Sequence, residues 1–160
     1  AGNVVKTITP LARRYDIFFE VSIADNLGVF DVDPKWMEAA LVNFLENAVD
    51  ACVFDRHTKD HRVSFLVEKK SEEDVCFLIK DDGIGMDTET KNKMFTLFFT
   101  SKGSQGTGLG LFIAHRVIKY HGGTVDVESE LGKGSQFCIC IPFQKPDNAR
   151  LVEYPRTRKT

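Results

Sequence analysis

The sequence predicts a single α/β domain, and three observations carry that prediction. Short apolar alternations fall into two neighbouring pairs, residues 62–68 with 74–80 and 124–128 with 136–141, the pattern of β-hairpins. Other stretches, near 3–14, 34–53 and after Gly110, space their apolar residues three and four apart, as amphipathic helices do. A chain of 160 residues, 42% of them hydrophobic, fits one globular core.

Composition narrows the function classes. A net charge of −2, with no basic face, argues against nucleic acid as a partner. No stretch approaches a membrane span and the N-terminus lacks a signal peptide's regions, so a soluble, cytoplasmic domain is expected. The cysteines, Cys52, Cys76, Cys138 and Cys140, sit among apolar neighbours without a Cys-x-x-Cys or a paired histidine spacing. Buried, reduced thiols are expected rather than zinc or disulfides.

Taken in order, Asn3 to Arg14 has helical spacing despite Pro10, and residues 17–23 alternate as a strand. Asp25 to Gly28 reads as a turn and Val29 to Val32 as a short second strand. Asp33-Pro34 then opens a helix, with Asp33 as N-cap and Pro34 in the first turn. This helix has two faces. Met37, Leu41, Phe44, Leu45 and Ala48 form an apolar stripe, while Asn43, Glu46, Asn47 and Asp50 stack on another side. Asn and Asp are poor helix formers, so a solvated surface stripe would more often use Lys, Glu and Gln. Their oxygens suit Mg²⁺, which takes one or two protein ligands and fills its shell with water and phosphate. His57 and His61 follow in a polar loop, with no matching ligands nearby in sequence.

The run Val75, Phe77, Ile79 delivers Asp81 to the end of a strand, followed by Asp82, Gly83, Ile84, Gly85 and Met86. A carboxylate there can accept from an amino group such as the exocyclic amine of adenine, and the glycines let another group come close to the backbone. Alone, such a string is as often an ordinary turn. After a short helix near Thr88 to Met94 come Phe95, Leu97, Phe98 and Phe99, then Thr100, Ser101, Lys102 and Gly103. A polar loop with a lysine and hydroxyls, hinged by glycine and anchored by aromatics, has the composition of a lid, though also of a surface loop whose aromatics lie in the core.

Gly106, Thr107, Gly108, Leu109, Gly110 and Leu111 run directly into an amphipathic helix. Backbone N–H groups and the helix dipole make this a cradle for phosphate. Neither a P-loop nor a Rossmann fingerprint is present. His115 falls on the polar side of the helix and reads as structural. His121-Gly-Gly ends it, and the last hairpin turns around Leu131 to Gly134. Beyond Gln144 the chain is polar and basic, so residues 1–143 form the expected domain and 144–160 a disordered tail.

These strings, in this order, resemble a known family. Asn43-Phe-Leu-Glu-Asn47-Ala-Val-Asp50-Ala resembles the N box of bacterial sensor histidine kinases, and Asp81-Asp-Gly-Ile-Gly85-Met86 their first glycine box. Phe95-Thr-Leu-Phe98-Phe99-Thr-Ser-Lys102 is similar to the F box, and Gly106-Thr-Gly-Leu-Gly110-Leu111 to the second glycine box. The likeness runs from about residue 4 to 143 and, within the family, is greatest to the nitrogen-regulation and sporulation branch. It implies a two-layer α/β (α+β) sandwich with a mixed sheet of about five strands, three helices on one face and a mobile ATP lid. It implies that Asp81 holds the adenine amino group, with Ser135 helping through a water. Asn47 would bind Mg²⁺ bridging the phosphates, supported by Asn43 and Asp50. Gly106 to Leu111 would take phosphate oxygens, and Lys102 would close over the γ-phosphate; Gly83, Gly85, Met86, Phe98, Thr100 and Ser101 complete the expected ATP site. The family's phosphoacceptor is a histidine followed by an acidic residue, whereas the four histidines here precede Thr58, Arg62, Arg116 and Gly122. The expected function is therefore a catalytic fragment: it binds Mg-ATP as a monomer and phosphorylates a histidine on a separate dimerisation domain, from which a response regulator receives the phosphate. Whether the parent protein is membrane-anchored is left open. The alternatives are a serine kinase of the anti-sigma type, a conformational ATPase, or a non-catalytic binding module.

Overall fold

The computed structural model describes residues 2–25, 27–57, 60–99 and 108–144. Helix α1, Gly2–Arg14, buries Val4, Ile8 and Ala12 and leads into strand β1, Phe18–Ile23. Helix α2, Pro34–Phe54, begins as its sequence predicts: the Asp33 carboxylate accepts from the backbone N–H groups of Lys35 (2.9 Å) and Trp36 (3.0 Å). Strands β2, Arg62–Lys69, and β3, Asp74–Asp81, form the first hairpin. A short helix α3, Thr88–Lys93, capped by the Asp87 carboxylate on the Thr90 N–H (2.7 Å), precedes helix α4, Gly110–Tyr120. Strands β4, Thr124–Glu130, and β5, Gly134–Pro142, close the domain.

The sheet has five strands in the order β1-β2-β3-β5-β4, with β1 parallel to β2 and every other pair antiparallel. The parallel pair needs a crossover, and α2 supplies it. On β2, β3 and β5 alternate residues (Val63, Phe65, Val67; Val75, Phe77, Ile79; Phe137, Ile139, Ile141) are buried with Phe44, Leu45 and Val49 of α2 and Ala114, Val117 and Ile118 of α4. This is the expected mixed α+β layer pair, with α3 as a short addition between the longer helices. His121 ties two helix ends together: its Nδ1–H donates to the Val117 carbonyl (2.8 Å) while Nε2 accepts from the Asp33 N–H (3.0 Å). No described helix is long and apolar enough to cross a membrane.

Two expectations fail here. Residues 29–32 form no strand: Asp31 N–H donates to the Phe143 carbonyl (2.9 Å), but no ladder follows, because Phe30 turns in against Phe77 and Phe143 while Val29 stays exposed. Cys76 and Cys140 are not free thiols but are joined in a disulfide, since antiparallel register sets them directly opposite one another on β3 and β5. Cys52 and Cys138 are free. The tail from residue 145, including the basic segment, lies outside the described residues.

Candidate functional site

Asp81 closes β3, where it pairs with Val63 on one side and Ser135 on the other. Its side chain is 2% exposed, and one oxygen accepts from the Gly83 N–H at 3.0 Å. Burial, reinforced by the charge of Asp82, pushes its carboxyl up to about 6, against the pull of backbone N–H groups of Gly83 and Ser135. A buried carboxylate whose ionisation is held in check in this way is poised to accept from an incoming N–H donor.

The turn after Asp81 is clamped from two sides by backbone. The Ile84 N–H donates to the Ala51 carbonyl of α2 (3.0 Å), and a Cβ on Gly83 would collide with that same peptide. Gly85, at φ +65, lies so close to the Glu130 carbonyl that no side chain fits there. From the other side, the turn between β4 and β5 reaches over: Gly132 N–H donates to the Ile84 carbonyl at 2.7 Å. Ser129 joins these parts. Its hydroxyl oxygen accepts from the Met86 N–H (2.8 Å), donates to the Gly134 carbonyl (3.0 Å) and lies 2.9 Å from the buried Ser135 hydroxyl. No sequence pattern marks Ser129.

Asp82 and His61 correct an expectation. His61 is not a bland loop residue: it is buried, and its Nδ1 lies 2.9 Å from a carboxylate oxygen of Asp82 that also accepts from the Arg62 N–H (2.9 Å). The other ring nitrogen, Nε2, has no hydrogen-bond partner among the described residues and faces Asp55 Oδ2 at 3.8 Å. Cys52, alongside, has its thiol pushed up by burial and by the charges of Asp81 and Asp82. Loop sequence showed only a histidine among polar residues; the contact exists because β2 and β3 pair.

The other half of the site lies along α2. Asn43, Asn47 and Asp50 are half-buried, whereas Glu46 on the same stripe is exposed. Asn43 Nδ2 donates to the Ala39 carbonyl (3.0 Å) and Asn47 Nδ2 to the Asn43 carbonyl (2.8 Å), which fixes both amides on the helix. Facing Asn43 is the start of α4: a Cβ on Gly110 would lie 2.8 Å from Asn43 Oδ1. The N-cap residue of this helix, Leu109, makes no side-chain capping hydrogen bond of its own. Gly108, at φ +66, packs against the Phe98 backbone, and the Phe98 N–H donates to the Gly108 carbonyl (3.2 Å). The aromatic segment divides its work. Phe95 packs against Phe44 and stacks on His115 with ring centroids 4.3 Å apart, while Phe98 is 70% exposed. His115 has its imidazolium disfavoured, first by burial and then by Lys119 and Arg116.

Most of the predicted site residues therefore fall along one edge. Asp81, Gly83, Gly85, Met86 and Ser135 gather at the Ala51 end of α2, and Gly108, Leu109, Gly110 and Leu111 begin α4 beside Asn43. Between them run Asn47 and Asp50. Thr100, Ser101, Lys102, Gly106 and Thr107 lie outside the described residues.

Known proteins resemble this chain in sequence and in fold. Residues 32–145 match the family model described as histidine kinase-, DNA gyrase B- and HSP90-like ATPase. The chain is 38% identical to the sensor protein SrrB of Staphylococcus aureus over 165 residues, covering 91% of this chain but 27% of that protein's length. Among solved structures, the catalytic domain of histidine kinase ThkA superposes with a TM-score of 0.74 at 27% identity, covering 89% of this chain and 91% of that one. A mycobacterial sensor histidine kinase, MprB, gives 0.72 at 25% identity, covering 89% and 93%. Full-length ShkA in complex with AMPPNP gives 0.75 at 26%, covering 91% of this chain and 29% of that one. The chain belongs to the histidine kinase-, DNA gyrase B- and HSP90-like ATPase family, an ATP-binding family, and carries the fold of histidine kinase catalytic domains.

Proposed function

We propose that this chain is the catalytic domain of a sensor histidine kinase: it binds Mg-ATP and directs the γ-phosphate to a histidine on a separate dimerisation domain, from which a response regulator takes it. The observation that carries this reading is the polar face of α2, which runs from the Asp81 turn at Ala51 to the N-terminal start of α4 at Asn43. Eight residues of helix span about 12 Å, a distance that suits an adenine at one end and a polyphosphate at the other.

In that pose Asp81 accepts from the adenine amino group, and Ser135 supports it through a water. Gly83, Gly85 and Met86 shape the base pocket, while the backbone of Gly106 to Leu111 receives phosphate oxygens at the positive end of α4. The donor set on α2 fits Mg²⁺: Asn47 Nδ2 is engaged by the Asn43 carbonyl, so its Oδ1 is the ligand atom, with Asn43 and Asp50 beside it. Bound there, the ion would offset phosphate charge. The roles of Thr100, Ser101 and Lys102, with Lys102 set over the γ-phosphate, rest on their place in the motif. Phosphoryl transfer depends mainly on positioning and charge stabilisation, so a domain without its acceptor keeps binding and loses the reaction.

Two measurements test this. Given ATP labelled at the γ-phosphate, the whole parent protein acquires acid-labile, alkali-stable label; acid-stable label, or free phosphate alone, overturns the reading in favour of a serine kinase or an ATPase. Asn47→Ala abolishes Mg-dependent ATP affinity and leaves nucleotide-free unfolding within about 1 kcal/mol of wild type. Surviving affinity removes Asn47 as the metal ligand.

A further inference from the structure

The sheet face turned away from the helices carries chemistry that nucleotide binding leaves unused. Successive side chains of a strand point to opposite faces, so while Val75, Phe77 and Ile79 turn into the core, Cys76 and Leu78 turn outward. On β5, Phe137, Ile139 and Ile141 turn in, and Cys138 and Cys140 turn out. The register places Cys76 opposite Cys140, with Cys138 two residues away on the same face. Three cysteines thus meet in one patch. Cys138 Sγ lies 3.7 Å from Cys140 Sγ, the Lys70 ammonium lies 3.8 Å from Cys140 Sγ, and all three sulfurs fall within 4.8 Å of one another.

We infer that, once the Cys76–Cys140 disulfide is reduced, this patch is a three-thiolate site for a soft d¹⁰ cation of the Cu(I) class. Thiolates select Cu(I) and zinc over the hard cations that suit the oxygen-lined α2 face. Metal–sulfur bonds of about 2.3 Å put the sulfurs of one trigonal ion about 4 Å apart. The Cys138–Cys140 spacing of 3.7 Å already fits, and Cys76 needs only to swing from bonding distance while the backbone ladder of the two inner strands stays in place. Structural zinc takes a closed set of four ligands. Among the described residues no fourth histidine, cysteine or carboxylate ligand atom joins this group, which favours an ion content with three. Lys70 offsets part of the negative charge that three thiolates leave around a monovalent ion.

The chemistry balances simply. A dithiol reductant passes two electrons and two protons to the sulfurs of Cys76 and Cys140 and is itself oxidised to a cyclic disulfide. Metal binding then releases the three thiol protons to solvent. A second cluster, Cys52, His61 and Asp82, also has its ligand atoms close together, but there the carboxylate oxygen already accepts from the Arg62 N–H and lies at hydrogen-bonding distance from His61. It serves as the control.

The test titrates the reduced protein, freed of reductant under anaerobic conditions, against Cu(I) held by a chromophoric Cu(I) chelator. The wild type withdraws one equivalent, the disulfide form withdraws none, and Cys52→Ser behaves as wild type. Cys138→Ser weakens binding by about 100-fold or more, and Cys140→Ser, as an independent second variant, does the same. Thermal melts of the variants without metal guard against misfolding. Equal competition by the oxidised protein or by Cys138→Ser overturns the site, as does no withdrawal by the reduced wild type. Tighter retention of Zn(II) than of Cu(I) overturns the three-coordinate assignment.

Discussion

The two ends of the nucleotide edge do not use all their glycines in the same way. At the Asp81 end the glycines are hemmed in by backbone: Gly83 against the Ala51 peptide, Gly85 against the Glu130 carbonyl, Gly134 against the Asp81 carbonyl. At the α4 end the glycines divide: Gly108, at φ +66, meets the Phe98 backbone, while Gly110, where the helix starts, faces a side-chain atom, Asn43 Oδ1, at 2.8 Å. Backbone cannot step aside, whereas an amide can rotate at the cost of leaving its place. The Asp81 end is thus a rigid socket built from backbone, while at the first turn of α4 the shape of the surface depends on the Asn43 side chain.

The largest effect belongs to the socket. Gly85→Ala combines a left-handed φ with a collision against a fixed carbonyl and should lower stability by about 3 kcal/mol or more, read as a fall in melting temperature without nucleotide. A melting temperature near wild type would mean that the socket yields. Next comes Asp81→Asn. An amide can present a donor where, in the proposed pose, the adenine amine needs an acceptor, so ATP affinity should fall about 100-fold in calorimetric titration.

The same substitution should raise nucleotide-free stability at pH 8, because ionising Asp81 opposes folding. Its carboxyl is raised from 3.8 to about 6, so its contribution to stability is fully present below pH 3.8 and lost as pH rises through about 6. At 1.36 kcal/mol per unit the gain for Asn is about 3 kcal/mol at most, largest above pH 6 and gone near pH 4. A variant whose advantage did not grow between pH 4 and 8 would contradict a buried, costly carboxylate. For wild type, ATP affinity should weaken about tenfold per pH unit below 6 as Asp81 takes up a proton. Gly110→Ala sits at the small end of the scale for stability, about 1 kcal/mol or less in either direction, while weakening nucleotide binding by displacing Asn43. Equal losses of stability for Gly110→Ala and Gly85→Ala would erase the distinction between the two ends.

What the sequence revealed follows from the range over which each contact acts. The α2 cap was legible because Asp33 and Pro34 act on the next turn of chain, and the two hairpins because alternation and turns are local. Asp81 could be singled out over Asp82 from its place at the end of an alternating run, and the structure buries the first while leaving the second partly exposed. What stayed hidden came from the residue-by-residue register of strand pairing and from contacts between separate segments. The Ser129 junction, the His61–Asp82 contact and the Cys76–Cys140 bond each need a register that no single segment encodes. The apolar run at 29–32 misled for a related reason: it has the composition of a strand, but among the described residues no neighbouring edge forms a ladder with it.

The β3–β5 pairing has a consequence for how the site comes into being. Asp81 and Ser135 sit opposite one another although they are far apart in sequence, and the intervening chain must fold back before they meet. Contacts of such range form slowly, after the hairpins have gained what local stability they can. Until β5 docks, the proposed socket for the base is incomplete. ATP therefore has nothing to grip on a half-folded chain: it should leave the refolding rate unchanged and act by slowing escape from the finished fold, so that occupancy sets how long the domain lasts rather than how fast it is made.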